Sequence, residues 1–229
     1  MKLKKIDKKK LCLAFDGLSA SGKSLGAKLI ARKYNLNLLN SGLLYRYVAF
    51  LILKNKPRRK IHFLKKKFTK LNYKYLTSLN LHSEEISNYA AIIAKQKKVR
   101  LILKIYQKKF AKKFKRIAIE GRDISTKILN KNPRYDIAFF FKCNLNTAAY
   151  RRWRDLKTSN RQITFDEVKK SLKKRNELDV KRRFSPLIQS KDSITIRTDI
   201  LNKKAMVAKM SKEIEKKLLL KYGRNFKAK

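Results

Sequence analysis

The chain has 229 residues, with 62 Lys or Arg against 16 Asp or Glu and a formal net charge of +46. That length suits one domain with a sizeable core, whereas two cysteines are too few for a disulfide framework or a four-thiolate metal site. No apolar run approaches the ~20 residues of a membrane span, and the apolar stretch after the basic N-terminus is too short for a secretory signal, so we expect a soluble, cytoplasmic protein without membrane contacts.

Short apolar runs alternate with helical patterns along the chain. Four runs are predicted to be strands, and a fifth, at 36–39, is a weaker candidate. The stronger candidates lie at 11–15, 117–119, 137–141 and 193–196. Because the first and third are almost continuously apolar, we expect both faces of these strands to be covered. Cys12 and Cys143 lie in such runs and are predicted to be reduced core thiols.

Helical patterns fill the intervals between these strands. The predicted helices are 24–34, 42–54, 84–115, 145–157, 165–182 and 202–221. Strands that alternate with helices predict an α/β fold with a doubly wound parallel sheet of about five strands. With few prolines and glycines to form linkers, we expect a single domain over 1–229. Segment 55–83 is basic and aromatic without a clear period, and we interpret it as an insert between two helices.

The first predicted strand leads into the sequence GLSASGKS, which fits the pattern G-x-x-x-x-G-K-[ST] between a strand and a helix. A loop that closes on a helix N-terminus turns backbone N–H groups inward and forms an anion site that the helix dipole reinforces. Lys23 adds a full charge beside the β and γ phosphates of a nucleoside triphosphate, and the Ser24 hydroxyl is a candidate Mg²⁺ ligand. The predicted ATP-binding residues are Gly17, Leu18, Ser19, Ala20, Ser21, Gly22, Lys23, Ser24 and Leu25.

Five arginines are candidates for a second phosphate site. An acceptor that is itself a phosphate requires such a site, and guanidinium groups meet phosphate oxygens in pairs. A phosphate acceptor also needs no general base, which fits a chain whose two histidines lie in no recognisable nucleophile motif. The candidates are Arg46, Arg100, Arg122, Arg175 and Arg182.

Five motifs in this order and spacing resemble those of bacterial cytidylate kinase, which phosphorylates CMP and dCMP from ATP. Besides the phosphate loop, they are LLNSGLLYR at 38–46, EGRDIST at 120–126, YRRWRDLK at 150–157 and RNELDVKRRFSPL at 175–187. The resemblance covers about 11–201 without the insert. It implies a nucleoside monophosphate kinase of the P-loop type that uses ATP and Mg²⁺, with a small acceptor-binding insert at 55–83 and a mobile lid at about 151–162.

The resemblance implies roles for residues on the acceptor side. Ser41 and Arg46 would contact the acceptor nucleotide, and Arg100 would lie near its base. Arg122 and Asp123 would hold its phosphate and its cytosine, respectively. The residues that would bind its sugar and phosphate are Arg175, Asp179 and Arg182.

Other residues would act on the transferring phosphoryl group. Arg151 and Arg152 match lid arginines that close over that group, and together with Lys23 they form the predicted catalytic set. By position alone, Glu120 and Asp16 are candidates to organise the metal through water.

Several positions depart from the family pattern. Leu18 and Ala20 replace a usual proline and glycine in the phosphate loop, and Asn40 stands where an aspartate is usual. His82 replaces a common arginine, and Ala91 stands where a serine would touch the base. The last two departures bear on base selectivity.

Two other functions stay open at the level of the sequence. One is a kinase of another nucleoside monophosphate, and the other is a basic P-loop protein that binds RNA or the ribosome through its charge. Lysine is spread over the whole length together with many Asn and Ile, which favours compositional drift at tolerant surface positions. We therefore expect a monomer whose partners are small-molecule nucleotides, with nucleic acid bound only non-specifically through net charge.

Overall fold

Five strands form one parallel sheet in the computed structural model, which describes residues 9–158 and 162–223. They are β1 Leu11–Gly17, β2 Asn37–Asn40, β3 Arg116–Glu120, β4 Ile137–Lys142 and β5 Ile194–Arg197. Their order is β2-β3-β1-β4-β5, and every neighbouring pair is parallel. All the predicted strands are confirmed, including the weaker candidate at 36–39.

Helices cover both faces of this sheet, which confirms the doubly wound architecture. Those in the described part of the chain are α1 Lys23–Lys33, α2 Ser41–Asn55, α3 Lys60–Thr69, α4 Tyr73–Ser78, α5 Glu84–Ile93, α6 Lys97–Lys113, α7 Leu145–Lys157, α8 Phe165–Lys181 and α9 Lys203–Tyr222. A π-helical turn, Ile124–Ile128, follows β3. Within the described residues, no helix is both long and apolar enough to cross a lipid bilayer.

The central strand β1 is buried on both faces, as its apolar sequence predicts. Leu13 and Phe15 pack with α1 and α9, while Cys12 and Ala14 pack on the opposite face with α2, α5 and α6. Successive side chains point to opposite faces of a strand, so one apolar run supplies two cores. Burial raises the pKa of the Cys12 thiol to about 12, so that this cysteine is a protonated core side chain at neutral pH.

The carboxyl end of β1 lies where chain connections diverge to either side of the sheet. The connection that leaves β1 runs to β2 at one edge of the sheet, whereas the connection that leaves β3 runs the opposite way, past β1 to β4, and such a switch point leaves a crevice at the carboxyl edge. Gly17 ends β1 there, and a Cβ at this position would lie 2.8 Å from the Cβ of Phe141 on β4. Only glycine allows the chain to turn out of the sheet so close to the neighbouring strand.

Two predicted elements differ from the structure. The helix predicted over 84–115 is interrupted after Ile93 and divides into α5 and α6, because Arg100 of α6 donates to the Ala94 carbonyl at 3.1 Å and stabilises the break. The insert at 55–83 shows no period because it contains two short helices: α3, which packs mainly against α6, and α4, which packs against α2. Leu64, Phe68 and Leu76 bury these helices in the core.

Helices α7 and α8 form a hairpin with a small core of its own. That core contains Ala148 and Ala149 from α7 and Val168 and Leu172 from α8. The lid predicted at 151–162 falls on α7 and the connection after it, of which residues 159–161 lie outside the described part of the chain. Cys143, predicted to be a core thiol, is only half buried, because it lies beyond the last residue of β4.

Candidate active site

A cleft of about 830 Å³ opens at the carboxyl edge of the sheet. One wall is the phosphate loop, residues 18–25, which we call the triphosphate wall. The opposite wall, which we call the acceptor wall, comes from α2, α5, α6, the loop after β3 and α8. Every predicted site residue lines this cleft except Gly17, which ends β1 below the loop, and Asp16, the candidate metal organiser that precedes it. Residues spread over most of the sequence are therefore brought to one cavity.

The phosphate loop is held by its own bonds and by one residue from behind. The Ser21 hydroxyl donates to the Leu18 carbonyl at 2.9 Å, and the Thr198 hydroxyl donates to the Ser21 carbonyl at 3.0 Å. Gly22 has a φ of 74° and directs the chain into α1, whose first turn is capped by no side chain among the described residues. The N–H groups at that helix end are the donors that an anion accepts.

Lys23 and Ser24 meet the carboxylate of Glu120, the last residue of β3. The Glu120 Oε2 atom lies 3.3 Å from the Lys23 ammonium and accepts a 2.6 Å hydrogen bond from the Ser24 hydroxyl. Burial lowers the pKa of Lys23, although the charge of Glu120 opposes the shift. Glu120 therefore holds the Lys23 ammonium and the Ser24 hydroxyl together at the mouth of the loop, beside its own carboxylate oxygen.

Asp16, the other candidate metal organiser, has a different set of contacts. Its carboxylate accepts hydrogen bonds from the Ile124 N–H, the Ser125 N–H and the Ser125 hydroxyl at 2.7, 2.7 and 2.6 Å. The side chain is buried, and burial raises the pKa of Asp16. These contacts fix the start of the π-helical turn, and with it the preceding Arg122 and Asp123.

Five acceptor-side residues are linked by carboxylate–guanidinium contacts. Asp179 binds Arg122 at 2.7 Å and Arg182 at 3.0 Å. Asp123 binds Arg100 at 2.6 Å, and both of these side chains are buried. Burial opposes ionisation of Asp179, but the charges of Arg122 and Arg182 outweigh it and lower its pKa. These arginines are pre-positioned by acids of the same site.

Five further arginines line the cleft without a carboxylate partner among the described residues, and three of them, Arg46, Arg152 and Arg175, lie close to one another. The other two are Arg151 and Arg154. Burial and the nearby charge of Arg122 lower the pKa of Arg175 to about 10. Burial and the charges of Arg152 and Arg122 likewise lower the pKa of Arg46. Mutual repulsion among these cations is relieved when an anion enters, so this wall is suited to phosphate.

Ser41 also lies at this wall, together with three positions that depart from the family pattern: Asn40, His82 and Ala91. The Ser41 hydroxyl is buried and accepts a 2.7 Å hydrogen bond from Gln107 of α6. Asn40 caps α2, its side-chain oxygen accepting from the Leu43 N–H at 3.2 Å. His82 and Ala91 line the cleft, so the two departures that bear on base selectivity belong to the site.

The structure places Arg151 at the far side of the phosphate loop. Its guanidinium donates to the Thr198 hydroxyl at 3.2 Å and to the Thr198 carbonyl at 2.7 Å. Because Thr198 itself binds the loop at Ser21, Arg151 connects the α7–α8 hairpin to the triphosphate wall. Arg152, the next residue, faces the arginines of the acceptor wall, as its effect on the pKa of Arg46 indicates.

The sequence analysis missed several residues that position the site. Asn176 of α8 accepts a 3.0 Å hydrogen bond from the Ser19 N–H, and Ala20, with a φ of 55°, packs against the hairpin core. Asn176 lies inside a quoted motif, but nothing in the sequence connects it to Ser19. Gln107 and Thr198 are polar residues outside the motifs, and only the fold brings Thr198 to the cleft and Gln107 to Ser41.

The chain matches the family model described as cytidylate kinase over residues 13–216. It is 33% identical over 222 residues to a cytidylate kinase of Mesomycoplasma hyopneumoniae, covering 92% of this chain and 96% of the relative. A cytidylate kinase of Clostridium botulinum is 31% identical over 221 residues, with 90% and 98% covered. A solved structure of an uncharacterized protein from Eubacterium ventriosum has a similar fold, with a TM-score of 0.55, 18% identity and coverage of 90% and 98%.

Proposed function

The chain belongs to the cytidylate kinase family, and we propose that its cleft transfers the γ-phosphoryl group of ATP to CMP or dCMP, yielding ADP and the diphosphate. The observation that carries this proposal is the presence of two cationic walls in one cleft. One wall is a phosphate loop with Lys23, and the other is the arginine group that contains Arg46, Arg122 and Arg175. Two phosphorylated substrates need two such walls.

The loop would hold the β and γ phosphates of ATP through backbone N–H groups at the start of α1. The uncapped N-terminus of that helix supports this role, because its donors have no side-chain acceptor among the described residues. Lys23 would follow the charge that develops between the β and γ phosphates, which makes it a catalytic residue. Glu120 keeps the lysine side chain directed into the cleft.

The acceptor nucleotide would occupy the opposite wall. Its phosphate would supply negative charge to a wall in which Arg46 and Arg175 have no carboxylate partner among the described residues. Arg122 shares the Asp179 carboxylate with Arg182. Arg100 and Asp123, already paired, present a donor and an acceptor edge suited to a pyrimidine base. Asp179 and Arg182 complete the wall toward sugar and phosphate.

The residues present also fit Mg²⁺ at the phosphate loop. The Ser24 hydroxyl and a Glu120 oxygen lie 2.6 Å apart, and hard oxygen donors of this kind are what Mg²⁺ prefers. Mg²⁺ held there would supply positive charge that offsets part of the charge of the triphosphate. Ser24 would hold it directly, and Glu120 would orient that hydroxyl and the bound water.

Catalysis would then consist mainly of positioning and charge neutralisation. The acceptor phosphate oxygen is already an anion near neutral pH, so no side chain has to remove a proton from it. The α7–α8 hairpin supplies Arg152 and Arg175 to the acceptor wall and Arg151 to the triphosphate wall, so its closure would join the substrates and exclude water.

A panel of nucleoside monophosphates tests this function. Purified protein is mixed with ATP, Mg²⁺ and each of CMP, dCMP, UMP, AMP and GMP, and ADP release is measured. We expect the highest kcat/KM with CMP or dCMP. In the matched reaction, Lys23→Ala should release ADP at least about 100-fold more slowly. Activity only with a purine monophosphate would replace the acceptor assignment, and ADP release that no monophosphate stimulates would contradict the kinase function.

A further inference from the structure

A second groove, of about 540 Å³, lies on the insert and shares no residue with the catalytic cleft. It is formed where α3 and α4 pack beside α2. Six of its lining residues are aromatic or basic: Tyr47, Phe63, Lys66, Lys67, Lys70 and Tyr75. A groove that combines rings and ammonium groups matches a ligand with planar rings and negative charge.

The positive charge of this groove is not balanced by the surrounding sequence. No Asp or Glu occurs between Asp16 and Glu84, a segment that includes all of α3 and α4. The groove lysines Lys66, Lys67 and Lys70 are exposed, and none forms an ion pair within the described residues. The lysines of α9 differ, because Glu213 and Glu215 occur among them.

The rings of the groove are accessible and close to the charges. Tyr75 is 53% exposed, Phe63 is half buried, and the Lys67 ammonium lies 5.6 Å from the centre of the Phe63 ring. Tyr47 and Tyr75 both line the groove, and burial together with the nearby Tyr75 raises the pKa of Tyr47. Exposed rings beside lysines form a stacking surface, not merely a charged one.

We propose that this groove binds single-stranded nucleic acid, with bases stacked on Tyr75 and Phe63 and phosphates neutralised by Lys66, Lys67 and Lys70. Stacking on an aromatic ring is available to every base, so we expect little sequence preference. Further exposed basic residues on the insert, including Lys56, Arg58, Arg59 and Lys74, extend the positive surface beyond one nucleotide, which favours a strand over a mononucleotide. A duplex keeps its bases stacked internally and offers none to the rings.

Fluorescence anisotropy with a labelled single-stranded RNA of about twelve nucleotides tests the proposal. The groove variant K66S/K67S/K70S is compared with K212S/K216S/K217S on α9, which loses the same charge from exposed positions. We expect the groove variant to bind about tenfold more weakly than the α9 variant, and its salt dependence to fall by about two units of slope. Equal weakening by both variants would overturn the proposal, because net charge alone would then explain binding.

A second pair of variants isolates stacking from charge. Tyr75→Ala should weaken binding about tenfold without changing the salt slope, and Tyr75→Phe should restore it. Equal affinity of Tyr75→Ala and the parent protein would overturn the proposal, as would equal affinity for duplex RNA of the same length. CMP phosphorylation should be unchanged in all these variants, because the insert contributes only His82 to the lining of the catalytic cleft and none of the substituted residues lines it. The proposal therefore fails or holds independently of the kinase function.

Discussion

The triphosphate wall of the catalytic cleft is one continuous stretch of chain, whereas the acceptor wall collects side chains from α2, α6, the loop after β3 and α8. The first would bind anions mainly with backbone N–H groups, which carry only partial charge and need no counter-ion. The second uses full charges that repel one another, and Asp123 and Asp179 balance only some of them. The backbone site therefore needs no ligand to balance its charge. The side-chain site has an excess of positive charge, which a bound anion would balance.

Substitution of the lysine in the triphosphate wall should have the largest effect. We expect Lys23→Ala to lower kcat at least about 100-fold, because it removes a full charge from the developing transition state. The affinity for CMP should change less than about threefold, since Lys23 belongs to the other wall. Steady-state kinetics and calorimetric CMP titration measure the two quantities. Lys28→Ala, an exposed lysine on the same helix, is the control, and substantial turnover by Lys23→Ala would contradict its assignment.

In the acceptor wall, removing one cation should change function and stability in opposite directions. We expect Arg175→Leu to weaken CMP binding about tenfold, the usual range for a charged hydrogen bond. Because the pKa of Arg175 is lowered to about 10, the charged guanidinium lowers the stability of the folded protein at any pH below that value. This loss of stability decreases as the pH rises above about 10. Urea unfolding at pH 7, followed by the single tryptophan, should thus show a gain of about 1 kcal/mol.

The control for Arg175→Leu is Lys174→Leu at an exposed position of the same helix. It should leave CMP binding unchanged and alter stability by less than about 0.5 kcal/mol. If Arg175→Leu destabilises the protein while the control does not, the repulsion inferred for the acceptor wall is wrong.

A smaller effect is expected at the contact that joins the two walls. Asn176→Leu removes the acceptor for the Ser19 N–H while preserving the size of the side chain, and we expect kcat/KM to fall about fivefold. Because this contact joins the two walls, we expect CMP to tighten ATP binding in the parent protein and to tighten it less in Asn176→Leu, while binding of either nucleotide alone changes little. Asn176→Asp keeps an acceptor oxygen and should retain most of that coupling. Loss of ATP affinity without loss of coupling would show that Asn176 serves only to shape the loop.

The smallest effect concerns the backbone of the phosphate loop. Ala20 has left-handed backbone geometry, which costs a non-glycine residue about 1 kcal/mol, but its methyl group packs on the hairpin core. We expect Ala20→Gly to raise the free energy of unfolding by about 0.5 kcal/mol, measured by urea denaturation. Ala208→Gly, at an exposed position of α9, should lower it by about 1 kcal/mol. Similar losses in both variants would mean that the packing of the methyl outweighs the strain.

The same contrast explains what the sequence predicts well. The strands and the phosphate loop depend on local patterns: an apolar run in β1 and small residues before Lys23. The break between α5 and α6 depends on Arg100, which bonds to Ala94 in one direction and Asp123 in the other. A helical period alone contains no sign of that contact. The helices of the insert are equally hidden, because their few buried residues are separated by lysines.

In the acceptor wall, the resemblance predicted which residues meet but not how they balance one another. The sequence does not reveal that Asp179 binds Arg122 and Arg182 together, or that Arg175 is left without a carboxylate among the described residues. Such pairings depend on distances between α8 and the loop after β3. Glu120 was predicted, by position alone, to organise the metal through water, and its contact with Lys23 is visible only in the fold.

A compound that spans both walls provides the most direct test of the central claim. Adenosine and cytidine joined 5′ to 5′ through five phosphates would place one nucleoside at each wall, and its affinity can be measured by calorimetry. If the walls form one site, it should bind at least about 100-fold more tightly than ATP or CMP alone, because the second contact becomes intramolecular. Lys23→Ala and Arg175→Leu should each reduce that gain. Binding no tighter than that of ATP alone would contradict the account, since the two walls would then not be used together.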